Sequence, residues 1–266
     1  MADQWKMAGA AWGSRAADWA TITEPSNLAV YRDVFDEVEL SGQDELVDVA
    51  CGSGAGLREA SRSTSGLAGL DAASDLVEVA RERVPDADLR VGDLRSLPWD
   101  DDSFDVAVSF NGVWNVDEGV AEVSRVLRLG GRFGFSWWGP DNDLYDVMGP
   151  VMVKYAPHDH LEGVMSIGGT GTEIHELCRH RCLEPTRDGR TNTVFEFADS
   201  DMCARAWLAT GPMVPLVENA SYEQVHAALS EASQPLASPR TGIVRVRFSW
   251  EWTTGRRTAN ASPTRR

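Results

Sequence analysis

Lysine is nearly missing from this sequence. Lys6 and Lys154 are the only two among 25 basic residues, which face 41 acidic ones. The formal net charge of -16 argues against a large phosphate-binding surface, so neither nucleic acid nor an anionic membrane is an expected partner. The preference for arginine over lysine carries no functional signal by itself. Four cysteines in 266 residues are too few for a disulfide framework and fit reduced, mostly buried thiols. No apolar run approaches membrane-spanning length, and no basic-then-apolar pattern opens the chain. The expectation is a soluble, cytoplasmic protein, monomeric or homodimeric. Internal repeats and low-complexity blocks are also lacking. With 42% hydrophobic residues, the chain can bury one sizeable core and a small accessory lobe.

What is present centres on residues 46–56, Leu-Val-Asp-Val-Ala-Cys-Gly-Ser-Gly-Ala-Gly. An apolar run of strand length ends in a glycine-rich turn, and a helical pattern follows from Leu57 to Arg62. This reads as a buried parallel strand feeding a tight turn that opens a helix. Gly52 and Gly54 let the backbone approach a ligand closely. The free N–H groups of the helix start face an anionic group, so the expected ligand carries a carboxylate or phosphate.

Trp5, Trp12 and Trp19 recur every seven residues, which places three indoles roughly on one face of an N-terminal helix. Trp12 or Trp19 is a candidate to close over the ligand. A second helix is expected over about 26–38. Further apolar runs at 66–71, 89–92, 104–110 and 132–138 read as strands, with helices over 56–63, 75–84 (Ser74 as N-cap) and 117–128. Strands alternating with helical patterns of this length give a doubly wound, parallel α/β sheet. After Gly139 the pattern turns to helices and loops, interrupted at Gly168-Gly169-Thr170-Gly171. Strand-like alternation returns at 191–197 and 243–253, with helices over 201–209 and 222–232, and a polar tail follows.

Three successive strands carry a carboxylate at or near their ends: Asp48, Asp71 and Asp93. Ligands of open parallel sheets sit outside those ends, where the strand order reverses. Asp71 falls where an acid accepts from ribose hydroxyls, Asp93 where one accepts from an exocyclic adenine amine, and Asp48 favours a ligand that also carries positive charge. A nicotinamide or flavin dinucleotide is the competitor. Its G-x-G-x-x-G fingerprint meets Leu57 at the third glycine position, with Gly56 one residue early.

Asp48-Val-Ala-Cys-Gly-Ser-Gly, Gly69-Leu-Asp71, Gly92-Asp93-Leu94, Phe104-Asp-Val and Val126-Leu-Arg-Leu-Gly-Gly131 together resemble the class I S-adenosylmethionine (SAM)-dependent methyltransferases. The likeness is greatest to the ubiquinone/menaquinone-biosynthesis (methyltransferase domain 11) type, which includes natural-product tailoring enzymes. The resemblance implies a Rossmann-like, mostly parallel seven-stranded sheet with a helical cap inserted after the fifth strand. It implies a helical lid at 1–40, a SAM-binding core at 41–138, a cap holding the acceptor at 139–190, closing strands at 191–254 and a disordered tail at 255–266. Asp48, Ala50, Gly52 and Gly54 would surround the methionine part of SAM. Asp71 with Ala72 would take the ribose, Asp93 and the Leu94 N–H the adenine, and the Asn111 carbonyl the methionine ammonium, with Trp12 beside the cofactor. Ala50 departs from the glycine of most members, and its methyl is expected to be tolerated. The segment Phe110-Asn111-Gly112-Val113-Trp114 lacks the Asn-Pro-Pro-Tyr pattern of enzymes that methylate amino groups in DNA.

The implied reaction is methyl transfer to an O, N or C atom of a small apolar, aromatic or natural-product acceptor, leaving S-adenosylhomocysteine (SAH). A SAM-binding relative with a non-methylating role, or an NAD(P) oxidoreductase, would share parts of this pattern. His158 and His160, flanking Asp159, are the candidate general bases. Trp19, Trp114, Trp138 and Tyr155 are the candidates to line the acceptor site. His175, Cys178 and Cys182 fall at helical spacing but lack a fourth ligand, so no metal site is expected.

Overall fold

The computed structural model describes residues 4–113, 116–157 and 171–259. Seven strands form one sheet: β1 (Glu45–Val49), β2 (Gly66–Asp71), β3 (Asp88–Val91), β4 (Phe104–Phe110), β5 (Leu127–Trp138), β6 (Leu183–Phe197) and β7 (Val244–Arg257), in the order β3-β2-β1-β4-β5-β7-β6. The first five pair in parallel, and β7 runs antiparallel between β5 and β6. Strand order therefore reverses between β1 and β4, which opens a crevice at their carboxyl ends. The doubly wound, mostly parallel arrangement agrees with the sequence pattern. No helix among the described residues is long and apolar enough to cross a membrane.

Side-chain alternation divides the interior into two layers. Leu46, Val106 and Val108 face one cluster, which includes Val34, Leu57 and Val77 of helices α3 (Leu28–Glu37), α4 (Ala55–Ala60) and α5 (Ser74–Arg83). Val47, Val49 and Ala107 face the other, packed by Val120 and Val123 of α6 (Asp117–Val126). The acids Asp117 and Glu118 open α6 and Arg125 lies in its last turn, matching the helix dipole. After β5, α7 (Leu144–Tyr155) joins the first layer, and α8 (Gly171–His180) adds Ile174 and Cys178 to the second.

Several elements differ from expectation. The N-terminal segment is not one helix: α1 (Gln4–Gly13) stops, a single turn α2 (Ala16–Asp18) follows, and a π turn and a 3-10 turn lead to Asn27. Trp19 thus lies on a different segment from Trp5 and Trp12. Ser74 does not cap α5. Ala73 holds the cap position, and its N–H donates to Asp71 Oδ1 at 2.8 Å. Strand β5 begins at Leu127, because Leu127 pairs with Phe104 before a register shift. Strand β6 begins at Leu183 rather than 191; it is an edge strand, so polar Arg187, Asp188 and Arg190 are tolerated, and Gly189 leaves room for the Trp252 ring. Strand β7 continues past 254 into the expected tail. Gly255 pairs with Pro185 and Phe133, pressed so close to Glu184 O that no side chain would fit.

Candidate functional site

A cavity of about 610 Å³ lies at the carboxyl ends of β1, β2 and β4, within the size range of small-molecule sites. Its floor is the turn after β1. The N–H groups of Ala50 and Cys51 both donate to Leu70 O, at 2.8 and 3.0 Å, which fastens the turn to β2. Ala50, Gly52 and Gly54 have φ of 68°, 55° and 79°. The two glycines adopt this left-handed conformation freely, whereas the Ala50 methyl costs about 1–2 kcal/mol there. The methyl is accommodated only because residue 112 is glycine: a Cβ there would come within 2.6 Å of the Ala50 Cβ. Gly54 does not reach the cavity. It permits the close packing of α4 on Ala80 of α5.

The N–H groups of Gly52 and Ser53 are not free to meet an anion. Asp71 Oδ2 accepts from Gly52 N at 2.8 Å, and Glu24 Oε1 accepts from Ser53 N at 3.2 Å. Two of the protein's own carboxylates occupy those two donors. A pyrophosphate would meet Glu24, Asp48 and Asp71, which also weakens the dinucleotide alternative.

Asp48, Glu24 and Asp71 are all buried, and all three line the cavity. Burial pushes the Asp48 carboxyl well above the usual range, and the neighbouring Asp71 and Glu24 carboxylates push it further. Its Oδ1 has no hydrogen-bond partner among the described residues. Burial also raises Glu24, offset in part by its bonds to Ser53 and Arg83, and raises Asp71, offset by the N–H groups of Ala73 and Gly52. Among these groups only Arg83 supplies compensating charge, standing behind the turn with Nη1 2.6 Å from Glu24 Oε2. The Tyr31 hydroxyl is raised by burial and by Glu24, and Asn27 Nδ2 donates to it at 3.5 Å. The site is therefore built for positive charge.

At the β3 end, Gly92, Asp93 and Leu94 line the cavity together with Arg95. Asp93 is gripped by Arg95, whose Nη2 donates to Oδ2 at 2.8 Å. Burial raises the Asp93 carboxyl, but the Arg95 bonds outweigh it and hold the group below its ordinary value. Asn111 follows β4 with φ of 65°, its N–H donating to Ser136 O at 2.9 Å and its Oδ1 unpartnered. Ala72 also lines the cavity. Gly9 of α1 lies so close to Ala72 O that a Cβ would overlap it. Trp5, Trp12 and Trp19 all reach the cavity despite the broken helix, with Trp12 and Trp19 edge-to-face at 5.1 Å.

Thus Asp48, Ala50, Gly52, Asp71, Ala72, Asp93, Leu94, Asn111, Trp12 and Trp19 come together around one cavity. Trp138 and Tyr155 do not line it. Trp138 packs edge-to-face on Phe248 at 6.0 Å, and Tyr155 ends α7, its carbonyl accepting from Asn219. Trp114, His158 and His160 lie outside the described residues. His175 is held instead by Asp188 at 2.7 Å and Thr253 at 3.2 Å, and Cys178 is buried under the sheet.

Sequence reasoning missed Glu24, Asn27, Tyr31 and Trp250. The first three recur at i, i+3 and i+7, a helical stripe in which polar groups replace apolar ones. Trp250 is one of five apolar residues at alternating positions, 244 to 252, and only the pairing of β7 beside β5 brings it to the cavity.

The strand order and the crevice it opens are those of the Rossmann-like fold that class I methyltransferases share. Residues 47–135 match the family described as methyltransferase domain, and this stretch is such a domain. The chain is 31% identical over 126 residues to the phthiotriol/phenolphthiotriol dimycocerosates methyltransferase of Mycobacterium tuberculosis H37Rv, covering 45% of this chain and 46% of that one. It is 33% identical over 121 residues to the demethylmenaquinone methyltransferase of Renibacterium salmoninarum, covering 42% and 51%. The match thus spans about half the length of these curated relatives. The same fold appears in the crystal structure of the 4+2 cyclase SpnF, with a TM-score of 0.59 at 15% identity, over 97% of this chain and 95% of that one. The cofactor of a domain of this class is SAM. The unpartnered Asp48 oxygen and the excess of buried carboxylate fit its sulfonium and ammonium charges.

Proposed function

We propose that the chain transfers a methyl group from SAM to an O, N or C atom of a small, apolar or aromatic acceptor. The observation that carries this reading is the buried Asp48 carboxylate, whose Oδ1 has no partner among the described residues, in a cavity where the protein's own acids have taken the N–H groups of Gly52 and Ser53. In this reading Asp48 and the Asn111 carbonyl attract the methionine ammonium. Each Asp71 oxygen accepts one backbone N–H and keeps lone-pair capacity for a ribose hydroxyl. The Leu94 N–H and the Asp93 carboxylate meet the adenine edge, while Ala72 and Trp12 enclose the nucleoside beneath α1.

When bound, SAM supplies an electrophilic methyl on a sulfonium leaving group. The protein's task is to hold the acceptor atom in line with it, a restriction worth roughly 7–11 kcal/mol. Arg83 and Glu24 fix the lid over the turn. The aromatic walls of Trp19, Tyr31, Phe110 and Trp250 exclude water from the reacting atoms. An acceptor hydroxyl must also lose a proton, for which a base adds about 10²–10⁴-fold. His158 and His160 are proposed for that role.

The test is incubation of the full chain with SAM and a panel of small ring alcohols, amines and enols, followed by mass spectrometry. SAH formation matched by a gain of one methyl on an acceptor is the expected result. SAM that binds and stays intact while an acceptor rearranges would favour the non-methylating role instead.

A further inference from the structure

The carboxylates of Asp48, Asp71 and Glu24 account for part of the cavity's lining. Beside them, three neighbouring strands present polar side-chain atoms that nothing among the described residues satisfies. Asn111 Oδ1 just past β4, Ser136 Oγ in β5 and Trp250 Nε1 in β7 are each buried and without a partner among the described residues. The sheet sets them close together. Phe110 pairs with Ser136, whose carbonyl takes the Asn111 N–H, and Trp250 pairs with Trp138 two residues further along β5. Asn111 and Trp250 line the cavity, and Trp250 is only 3% exposed. Buried donors and acceptors are seldom left unmade without a reason, because each forgoes its hydrogen bonds to water.

We propose that Trp250 and Asn111 form the acceptor subsite, and that it selects an uncharged ring bearing a hydroxyl group. The inference rests on reading the cavity as a SAM site and adds the chemistry of the second substrate. An indole N–H needs a lone pair to donate to, which an ammonium lacks. An amide oxygen needs a hydrogen, which a carboxylate or fully ionised phosphate lacks. A hydroxyl supplies both. The cavity's charge applies a second filter, because Glu24 and Asp48 disfavour any anionic acceptor. The ring is supported by flat neighbours: Phe110 and Tyr31, with centroids 4.5 Å apart, both line the cavity. Trp250 in this account reads the acceptor and does not touch the nucleoside.

Isothermal titration of the SAH-loaded full chain with three naphthalenes of matched shape tests this. They are 2-naphthol (uncharged), 2-naphthoate (anionic) and 2-naphthylmethylammonium (cationic). The expected result is binding of 2-naphthol, with the two charged probes at least about tenfold weaker. In Trp250→Phe, which keeps a ring but loses the donor, 2-naphthol affinity drops about tenfold while SAH affinity is unchanged, which also shows that the variant is folded. Equal binding of a charged probe, an unaltered naphthol affinity in Trp250→Phe, or no naphthol binding to SAH-loaded protein overturns the proposal. Failure of SAH itself to bind would instead strike the cofactor reading.

Discussion

Arg83 and Glu24 join the N-terminal segment to the glycine turn. Arg83 Nη1 stands 2.6 Å from Glu24 Oε2 and 3.0 Å from Ser53 O, while Nη2 donates to Ala20 O at 2.6 Å. The carboxylate is 3% exposed and the guanidinium 19%. The N-terminal segment, a helix end and the glycine turn thus share one buried ion pair.

Removing one member of such a pair strands the other charge. Arg83→Met is expected to cost about 3 kcal/mol. Glu24→Gln keeps a hydrogen-bonding side chain on Ser53 and is expected to cost about 1 kcal/mol. Urea denaturation measures both. A loss below about 1 kcal/mol in Arg83→Met would show that the pair does not fasten the lid.

Asp48 should make the empty protein less stable as pH rises. Its carboxyl titrates in the folded state above 3.8, its ordinary value, chiefly because it is buried. Between those two values the folded state holds more protons than the unfolded one. The contribution of this group is therefore most favourable below the unfolded pKa and is lost as pH climbs through the folded one. Asp48→Asn should flatten that slope and stabilise the empty protein at pH 7–8 by about 1–3 kcal/mol, while weakening SAM. Thermal unfolding across pH checks the slope. A variant with the same pH dependence as wild type would contradict the assignment.

Asp71 serves the turn and, in the proposed reading, the ribose. Asp71→Ala should lose at least about 100-fold in SAM affinity, because it removes the acceptor for both hydroxyls and releases Gly52 N and Ala73 N. Asp71→Asn keeps the shape and one acceptor oxygen, so a smaller loss is expected. Calorimetric titration ranks the two; wild-type affinity in Asp71→Ala would refute the role.

Gly9 is where α1 touches the cavity wall at Ala72. A methyl at this position would overlap Ala72 O, so Gly9→Ala should lift α1 and weaken SAM about tenfold. Because α1 buries only Gly9 and Gly13, global stability should fall by less than about 1 kcal/mol. Unaltered affinity would show that α1 does not cover the cofactor.

The parts of this protein legible in its sequence are those encoded locally. Strands β1 to β4 announce themselves as short apolar runs, and Asp48, Asp71 and Asp93 gain meaning from their positions at or near strand ends. The parts that escaped depend on long-range pairing. Trp138 and Trp250 are equivalent as sequence signals, yet only Trp250 reaches the cavity, because β7 enters antiparallel between β5 and β6. Glu24 comes from a break between turns that a seven-residue tryptophan spacing conceals. The N–H groups of Gly52 and Ser53 look free in the sequence, and only the fold reveals that Asp71 and Glu24 already hold them.

The most direct test of the account is calorimetric titration of the unmodified chain with SAM and, separately, with NAD. The buried carboxylates favour a cationic cofactor, so saturable one-to-one heat with SAM and none with NAD is the predicted outcome. No heat with SAM, or binding of NAD that SAM cannot displace, would contradict it.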